Sequence, residues 1–527
     1  MITITGTGLS IEDVVAVAQR GEKIAPLPPE ARERMERSLA WVETAVTEGT
    51  RKIYGVNTGF GALANTSIPA ADASRLSRNV ILKCCAGSGA PLPEPIVRAM
   101  MAIRASTLAR GLSGVRTDLA ESLIRMLNRG VTPFVPSKGS LGASGDLAPL
   151  AHIAVVLTRE PDGSNREDHS GRAWFEGRLM SGADAMEAAG IPRLVPGPKE
   201  GLALTNGTTF MLAAGALAVT EAERLLDHAD ISAALSMEAL LALSSAFHPL
   251  LHDANGQKAQ TDAAARIRAL LYGSRLIDSD PERVQDAYSL RCVPQVHGPA
   301  RDAVAFVRSR LESLLTGTSD NPLIFPDADG EGRAISGGNF HGQGLAFWHD
   351  LLGIVIAEVA SICERRCFRL LTPELSAGLP SMLVANPGLD SGLMLGQYTA
   401  AALVSENKTL AHPDSVDSIP SSANQEDHVS MGANAARHAL EILDNVRTVL
   451  AVEFLTAAQA VELRDRGPER LGRGTAAAFR QIRSRVRFLE HDRPLTPDIE
   501  AIADLIGSDT ILAEVRQALG EAQRREP

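Results

Sequence analysis

Apolar residues recur at helical spacing along most of the chain. In the N-terminal part this pattern predicts helices over residues 11–20, 29–47, 96–112, 115–128 and 147–158. In the C-terminal part it predicts helices over residues 345–368, 391–407 and 433–463, and further helices within 474–519. Residues 345–368 and 391–407 are apolar enough that we expect both helices in the interior. The pattern therefore indicates a mostly α-helical protein.

Three stretches are less regular. Residues 198–250 contain two Ala/Leu-rich helical runs, and a polar break follows at residues 252–262. Residues 159–168 are polar and are expected to form a surface loop. Strand-like alternation is limited to short pieces such as Ile2 and Ile4 near the N-terminus. These stretches add loops and short strands to the helical pattern.

Composition agrees with helix packing. Hydrophobic residues make up 45% of the 527 residues, but aromatic residues only 4%, so the core has to consist mainly of Ala, Leu, Val and Ile. This favours closely packed helices over a β-sandwich. A chain of this length can hold several domains, although a long helical architecture can use it as one or two. The net charge of -11 argues against nucleic acid or an anionic membrane as a partner.

The cysteines and the N-terminus indicate a soluble, cytoplasmic protein. Residues Met1–Thr5 contain neither a basic segment nor an apolar segment of a signal peptide, and no run is expected to be long enough to span a bilayer. The spacing of the cysteines suits neither a disulfide framework nor structural zinc, so we expect reduced thiols. These cysteines are Cys84, Cys85, Cys292, Cys363 and Cys367.

A glycine-rich stretch, residues 139–147, leads directly into the apolar run of 147–158. Asp146 is expected to cap the helix and Pro149 to lie in its first turn. The stretch is open to interpretation as a helix-entry loop, a phosphate cradle or an exposed linker. Neither nucleotide-binding glycine motif is present, and the preceding residues 132–136 are a poor central strand because they contain two prolines. The sequence therefore predicts no nucleotide site.

The tripeptide Ala143-Ser144-Gly145 lies inside this loop and suggests unusual chemistry. In a strained turn, the Gly145 nitrogen is able to attack the Ala143 carbonyl, because glycine lets the backbone approach that closely. Loss of that water and then of water from Ser144 gives a five-membered ring with an exocyclic methylene. Such a ring is a strong electrophile that no ordinary side chain provides. Alone, however, Ala-Ser-Gly is a common tripeptide.

The surrounding segment, GSLGASGDLAPLAHIA, resembles the signature of the aromatic amino acid ammonia-lyases, the family of histidine, phenylalanine and tyrosine ammonia-lyases and related aminomutases. In that family the tripeptide forms 4-methylideneimidazole-5-one (MIO) autocatalytically, with no metal or nucleotide cofactor. The resemblance runs from about residue 10 to 515, with the motifs in the family's order. They are YGVNTGFG at 54–61, KEGLALTNGT at 199–208, QDAYSLR at 285–291, GGNFHG at 337–342 and SANQEDHVSM at 422–431.

The resemblance implies a fold and an assembly. The expected fold is a long-helix bundle of the histidine/phenylalanine ammonia-lyase type with a small mixed N-terminal part. We expect residues 1–200 to form an MIO-bearing and lid-loop region, and residues 201–527 a central helix bundle with a C-terminal helical region. The family is homotetrameric, with sites assembled from several subunits, and acts on small-molecule amino acids.

The resemblance also implies roles for single residues. Tyr54 is the expected base, whereas the composition of its segment alone favours a loop tip. A tyrosine acts as a base only if its neighbours lower the pKa of the phenol. Asn206 is placed beside the electrophile, although a helix cap is its simpler interpretation. Arg291 is expected to clamp the substrate carboxylate. The remaining expected site residues are Gln285 and Tyr288 as hydrogen-bonding groups, Phe340 against the ring, and Gly61 and Gln425 in the substrate pocket.

The substrate is indicated by two segments that disagree. Glu426 in the QEDH segment favours histidine, giving urocanate. Lys83-Cys84 occupies the selectivity positions, where histidine ammonia-lyases carry Ser-His, and an ammonium repels a cationic side chain. Alternatively, Lys83 neutralises the charge of Glu426. In the simplest interpretation, Lys83 is a solvated lysine and Cys84 a small apolar core residue. The alternatives are a lyase or 2,3-aminomutase for another polar, acidic or aromatic amino acid, and an inactive helical scaffold.

Overall fold

The structure is a computed structural model of the full chain and describes residues 1–49, 52–327 and 332–523. It is mostly α-helical, as predicted. The helices are α1 Ile11–Gln19, α2 Pro29–Glu48, α3 Ala73–Cys84, α4 Glu94–Ala109, α5 Thr117–Arg129, α6 Leu147–Leu157, α7 Gly182–Ala188, α8 Glu200–Thr205, α9 Thr209–Ala239, α10 Pro249–Asn255, α11 Lys258–Leu271, α12 Tyr288–Arg291, α13 Val293–Leu315, α14 Gln343–Leu371, α15 Met394–Leu410, α16 Gly432–Glu462, α17 Arg473–Arg485, α18 Thr496–Gly507 and α19 Thr510–Gln523.

The strands form small antiparallel sheets, with β1 paired to β3, β2-β4-β5 in one sheet, and β6 paired to β7. The short β2 lies at an edge of its sheet, where its proline is tolerated. The strands are β1 Ser88–Pro91, β2 Thr132–Pro133, β3 Pro136–Lys138, β4 Arg172–Phe175, β5 Arg178–Ser181, β6 Leu323–Phe325 and β7 Arg333–Ile335.

Contacts within the chain define two compact units. The first consists of Met1–Leu217, Arg308–Asp350 and Pro413–Arg437, and the second of Ala218–Val307, Leu351–His412 and His438–Pro527. In the first unit, α4 is buried from Ile96 to Ala109 and packs against α1 and α5. In the second, α17 packs against α11, α18 and α19. The expected division of the chain into residues 1–200 and 201–527 stays a prediction.

Three helices of the first unit hold the part of the chain with the candidate chemistry. Helices α3, α6 and α8 pack against one another. Helix α3 ends at Lys83-Cys84, α6 follows the glycine-rich loop, and α8 ends immediately before Asn206. Packing of these helices therefore brings three segments that are distant in sequence to one place.

Several helix predictions need correction. The two runs expected in 198–250 include a single long helix, α9, and the polar break at 252–262 contains most of α10 and the start of α11. In α11 the buried residues Ala263, Ala264 and Ile267 form one face, so its polar residues mark a solvent face and not a break. The polar residues at its N-terminal end concealed the helix, whose larger apolar residues, Ile267, Leu270 and Leu271, come near its C-terminal end.

The two helices that we expected in the interior are partly exposed. Helix α15 buries only Gly396, Ala400 and Asn407, while Leu395 and Tyr398 are 54% and 56% exposed. Helix α14, contrary to our expectation, is also long and apolar enough to span a membrane by length and composition, although 50% of its most apolar window is buried inside the protein. Core helices of soluble proteins have the same length and composition.

Candidate active site

The glycine-rich loop forms a tight turn around Ala143 and Ser144. The Gly145 N–H donates to the Gly142 carbonyl at 3.2 Å, which closes a ring containing both residues. Ser144 has φ of 53° and Gly145 has φ of 80°. The left-handed region is uncommon for a residue with a side chain, so Ser144 holds local strain. This strain agrees with the expectation that the condensation takes place in a strained turn.

Gly207 lies directly against this turn. Its N–H donates to the Ser144 carbonyl at 3.1 Å, and its own carbonyl accepts from the Asp146 N–H at 2.8 Å. A Cβ at Gly145 would overlap the Gly207 carbonyl. Only glycine fits at residue 145, because the two backbones are in direct contact.

Asp146 lies at the cap position of α6, but its side chain does not cap that helix. Its carboxylate accepts from the Met211 N–H at 3.0 Å and the Ser140 hydroxyl at 3.3 Å. Burial raises the pKa of Asp146 to about 7, against the opposing effect of these hydrogen bonds and of Arg104. The carboxyl links the loop to the start of α9, which corrects the predicted capping role.

Asn206 follows α8, so the predicted helix-entry cap is also wrong. Its side chain is 1% exposed, and its Oδ1 is buried without a hydrogen-bond partner in the described chain. A buried amide oxygen without a partner is uncommon and indicates a missing polar group. Asn206 is adjacent to Gly207, which contacts the turn. The strained turn therefore fits an MIO ring formed from Ala143-Ser144-Gly145, and the unpartnered Asn206 oxygen fits a hydrogen-bond donor beside it, such as an amino group.

The Tyr54 phenol lies in a second cluster of the same unit. Its oxygen accepts from the Gly61 N–H at 3.3 Å, and Phe60 packs edge-on with ring centroids 6.2 Å apart. Burial raises the pKa of Tyr54, the Glu426 carboxylate raises it further, and the Gly61 hydrogen bond lowers it. The neighbours in this chain thus favour the protonated phenol, the opposite of what a base in the free enzyme requires.

Glu426 and the end of α3 belong to the same cluster. Glu426 accepts a hydrogen bond from the Ser421 hydroxyl at 3.0 Å. The Lys83 ammonium lies 5.0 Å from the centre of the Phe60 ring, close enough for a cation–π interaction. Burial and the Glu426 carboxylate raise the pKa of Cys84, whereas Lys83 lowers it. The structure thus brings together a phenol, a carboxylate, an ammonium and a thiol.

Gly61 faces the segment that carries Gln425 and Glu426. A Cβ at Gly61 would lie 2.5 Å from the Ser422 hydroxyl oxygen and 3.7 Å from a Glu426 carboxylate oxygen. Gln425 is exposed, and its N–H donates to the Ser422 carbonyl at 3.1 Å. Glycine at residue 61 therefore leaves room for the Ser422 hydroxyl, and Glu426 lies within van der Waals distance of the same position.

Ser430 and Met431 connect the loop of Phe340 to the glycine-rich loop. The Met431 N–H donates to the Leu141 carbonyl at 3.1 Å, and the preceding residue, Ser430, lies against Gly142. A Cβ at Gly342, two residues after Phe340, would lie 3.1 Å from the same Ser430 hydroxyl. Phe340 is half-buried. Ser430 thus connects the loops that carry Phe340 and Glu426 to the turn.

The other expected site residues form their own group in the second unit. The Arg291 guanidinium stacks on the Tyr288 ring at 4.6 Å. With the Gln285 amide turned so that its oxygen faces the guanidinium, Arg291 donates to it at 2.6 and 3.0 Å. Tyr288 is 71% exposed. Within the described residues, the Arg291 guanidinium contacts the Gln285 amide and the Tyr288 ring. Neither partner is charged, so the guanidinium is available to bind a carboxylate.

Sequence reasoning missed several residues around the turn. Arg104 is fully buried, and burial lowers its pKa to about 10 although Asp320 and Asp146 oppose this. Lys199 and Asp320 form a buried ion pair. Of these residues only Lys199 lies in a family-like motif, KEGLALTNGT, and a charged residue inside a motif was the one available signal. In the described residues, no cluster of three or more His, Cys, Asp or Glu is arranged to hold a metal.

Comparisons with known proteins agree with this geometry. The family model described as aromatic amino acid lyase matches residues 9–484. A histidine ammonia-lyase of Treponema denticola is 47% identical over 517 residues, which cover 98% of this chain and 99% of that protein. A histidine ammonia-lyase of an Anaeromyxobacter species is 50% identical over 509 residues, covering 96% of this chain and 98% of that protein.

Solved structures with the same fold have two different activities. The tyrosine aminomutase of Streptomyces globisporus has a TM-score of 0.90 and 36% identity, with 98% of each chain covered. The histidine ammonia-lyase of Trypanosoma cruzi has a TM-score of 0.88 and 36% identity, with 98% of this chain and 95% of that chain covered. The expected helical fold is confirmed.

Proposed function

Because the chain belongs to the aromatic amino acid lyase family and is a carbon–nitrogen lyase, we propose that it eliminates ammonia from L-histidine to give urocanate. The observation that carries this proposal is the Glu426 carboxylate in one cluster with the Tyr54 phenol. A carboxylate there is able to accept a hydrogen bond from an imidazole N–H or to pair with imidazolium. The names of the full-length relatives support the same substrate.

Ala143, Ser144 and Gly145 would form the MIO group of this family. The strained turn and the close approach of Gly207 support this assignment. When formed, the group supplies an electrophilic carbon for the substrate's amino nitrogen and so turns a poor leaving group into a better one. Asn206 would hold a polar atom of the ring or of the amino group. Phe340 would lie against the ring.

Tyr54 would remove the β-proton of the substrate. Since Glu426 contributes to the raised pKa of Tyr54, a cationic imidazole at Glu426 would partly cancel that effect and ease ionisation of the phenol. Substrate binding would then help to prepare the base. Arg291 would hold the substrate carboxylate by paired hydrogen bonds, with Gln285 and Tyr288 fixing the guanidinium.

We further propose a homotetramer in which each site is assembled from several subunits. Helix α15 supports an assembly, because the neighbouring Leu395 and Tyr398 side chains form an exposed apolar stripe on one face of the helix, where a subunit contact would bury them. We place the enzyme in the cytoplasm.

A second activity is favoured by one observation. Lys83 and Cys84 replace the Ser-His expected for histidine, and Lys83 acts electrostatically on the pocket thiol. A neutral polar or acidic amino acid suits this ammonium better than a cationic one. The fold also occurs in a tyrosine aminomutase. A lyase or 2,3-aminomutase for another amino acid is therefore the second candidate.

The test is product analysis with the purified full-length protein. L-Histidine should give the ultraviolet absorbance of urocanate together with one ammonia per product. Parallel reactions contain tyrosine, phenylalanine and acidic amino acids, and chromatography separates enoates from β-amino acids. Turnover of another amino acid without turnover of histidine contradicts the proposed substrate. A β-amino acid product identifies an aminomutase, and inactivity towards all of them identifies a scaffold.

A further inference from the structure

A fully buried ion pair lies close to the glycine-rich turn. The Lys199 ammonium and an Asp320 carboxylate oxygen are 2.7 Å apart, and both side chains are 0% exposed. Removing two charges from water costs more free energy than such a pair usually returns as stability. The two residues are also 121 positions apart in sequence. Stability alone therefore does not explain the buried pair of Lys199 and Asp320.

Asp320 fixes a short segment, Thr318–Asn321, that we name the backing segment. The second carboxylate oxygen of Asp320 accepts from the Asn321 N–H at 2.7 Å. The Asn321 side-chain oxygen in turn accepts from the Gly337 N–H at 2.8 Å and the Ser336 hydroxyl at 3.1 Å. The ion pair thus holds the segment from one side and the segment of Gly337 holds it from the other, which leaves its backbone little freedom.

The backing segment lies behind Gly207. The Ser319 hydroxyl oxygen accepts from the Thr208 N–H at 3.3 Å. A Cβ at Gly207 would lie 2.6 Å from that oxygen and 2.9 Å from a guanidinium nitrogen of Arg104. Arg104 is itself fixed, since it donates to the Thr209 hydroxyl at 2.6 Å and the Ala203 carbonyl at 3.2 Å. Gly207 is enclosed on this side by Ser319 and Arg104.

The other side of Gly207 is the turn itself. Gly207 donates to the Ser144 carbonyl and accepts from Asp146, and its carbonyl leaves no room for a Cβ at Gly145. The backbone of Gly207 is therefore held between the backing segment and the turn. If the backing segment moves away, Gly207 is free to follow it, and the turn is free to relax from the left-handed conformation of Ser144.

We propose that Lys199 and Asp320 are positioning residues for maturation of the Ala143-Ser144-Gly145 turn, acting through Ser319 and Gly207. This inference rests on the proposed function, because it concerns formation of the group that the proposed lyase uses. The pair holds the backing segment in place, the backing segment keeps Gly207 against the turn, and Gly207 keeps the Gly145 nitrogen close to the Ala143 carbonyl. Close positioning of reacting groups is a large part of the rate of an intramolecular reaction.

The maturation step loses two waters. A bond forms between the Gly145 nitrogen and the Ala143 carbonyl carbon, and the Ala143 oxygen leaves as water with the amide protons of Gly145 and Ser144. The Ser144 hydroxyl then leaves with the Cα proton of Ser144 as the second water, which produces the exocyclic double bond. No oxidant, metal or further reactant is consumed. Each chain that matures is therefore lighter by two waters.

The experiment measures intact mass in the purified full-length protein over time after synthesis. Lys199→Met and Asp320→Asn should slow the loss of the two waters by about tenfold or more, giving mixtures of matured and unmatured chains. In such mixtures kcat per total chain falls with the matured fraction, whereas KM is unchanged, because only matured chains contribute. A role limited to stability would lower the unfolding temperature without changing the mass of the folded chains.

The matched control is Arg366→Met. Arg366 and Glu453 form another ion pair with both side chains 0% exposed, in the second unit. This variant should lose stability and still mature completely. Its incomplete maturation would overturn the inference, since any buried-pair loss would then have the same effect.

Two milder variants keep the test decisive if the single charge variants do not fold. Ser319→Gly removes the hydroxyl beside Gly207 without leaving an unpaired charge, and Lys199→Met/Asp320→Leu removes both charges together. Delayed loss of water in the folded protein supports the inference. Folded variants that lose both waters at the wild-type rate overturn it. A wild-type protein that retains both waters contradicts the proposed function instead.

Discussion

At the scale of single residues, the protonation of Tyr54 decides whether the proposed chemistry is possible. Its pKa is raised by burial and by Glu426, although a base has to be ionised to accept a proton. Glu426 therefore has two opposing effects, because it favours the proposed substrate and disfavours the phenolate. Binding of a cationic substrate reconciles these effects. The pH dependence of Glu426 variants should separate them.

Glu426→Gln should lower kcat/KM for histidine by about tenfold to a hundredfold, the range for losing a hydrogen bond to a charged group. As pH increases, kcat/KM should rise when Tyr54 ionises, and in this variant the rise should occur at lower pH. The sign follows because removing the carboxylate charge lowers the pKa of Tyr54, and the base becomes active once it is ionised. The measurement is kcat/KM against pH, with Glu426→Asp as the control that keeps the charge. A rise that stays in place, or moves to higher pH, contradicts the proposed coupling.

Lys83 is the residue with the clearest consequence for the substrate. Its ammonium lies over Phe60 and acts on Cys84, so it should disfavour a protonated imidazole. We expect Lys83→Met to lower KM for histidine severalfold at pH 6, where much of the imidazole is protonated, and less at pH 8. Steady-state kinetics at both pH values test this, with the exposed Lys138→Met as control. An equal change in KM at both pH values would mean that Lys83 does not repel the protonated imidazole of the substrate.

At the scale of structural elements, the site depends on how its loops are joined. The imidazoles of His341 and His428 stack with centroids 5.3 Å apart, and His428 Nδ1 lies 3.2 Å from His341 Nε2. The Gln343 N–H donates to His341 Nδ1 at 3.3 Å, so neutral His341 carries its proton on Nε2 and donates to His428. This pair links the loop of Phe340 to the loop of Glu426.

Replacing His428 by Leu should therefore loosen both loops. We expect kcat to fall and KM to rise, each by about threefold to tenfold, with a loss of stability of about 1 kcal/mol, the net value of one hydrogen bond. His428→Asn keeps a hydrogen-bonding side chain and should recover part of the activity. Kinetics and thermal unfolding are measured together, and His412→Leu, at another exposed histidine, is the control. Unchanged kinetics in His428→Leu would show that the pair does not position the loops.

Helices were predictable where one apolar face is wide and the ends carry clear signals. Helix α1 begins after the capping residue Ser10 and α2 begins at Pro29, both as the sequence pattern predicts. The pattern failed for α11, whose first two turns carry mostly polar residues and alanine. It also placed α15 in the interior, because an apolar pattern predicts a helix with an apolar face and does not show whether that face is buried.

At the scale of the whole molecule, sequence reasoning found residues that lie in motifs and missed residues that act through distant contacts. Tyr54, Gly61, Lys83, Cys84 and Glu426 were expected in the site, and the structure brings them together. The ion pair that stands behind the turn was not found. A pair 121 positions apart leaves no periodic signal in the sequence, and buried charges are recognised only once their burial is known.

The exposed stripe of α15 leads to a prediction about assembly. Leu395 and Tyr398 lie three residues apart and so share one face of the helix, and both are more than half exposed. In the proposed tetramer this face is covered by another subunit. Leu395→Glu/Tyr398→Glu should therefore dissociate the assembly, because two charges cannot be buried there without partners.

Size-exclusion chromatography with light scattering gives the mass of the assembly, and circular dichroism gives the helix content. We expect the double variant to form smaller species with unchanged helix content, and to lose urocanate formation because the proposed sites need several subunits. Lys408→Glu changes an exposed residue of the same helix away from the stripe, so it should keep both the assembly and the activity. A double variant that remains a tetramer would show that this stripe is not the subunit interface. A dissociated variant with full activity would show instead that a single chain contains the complete site.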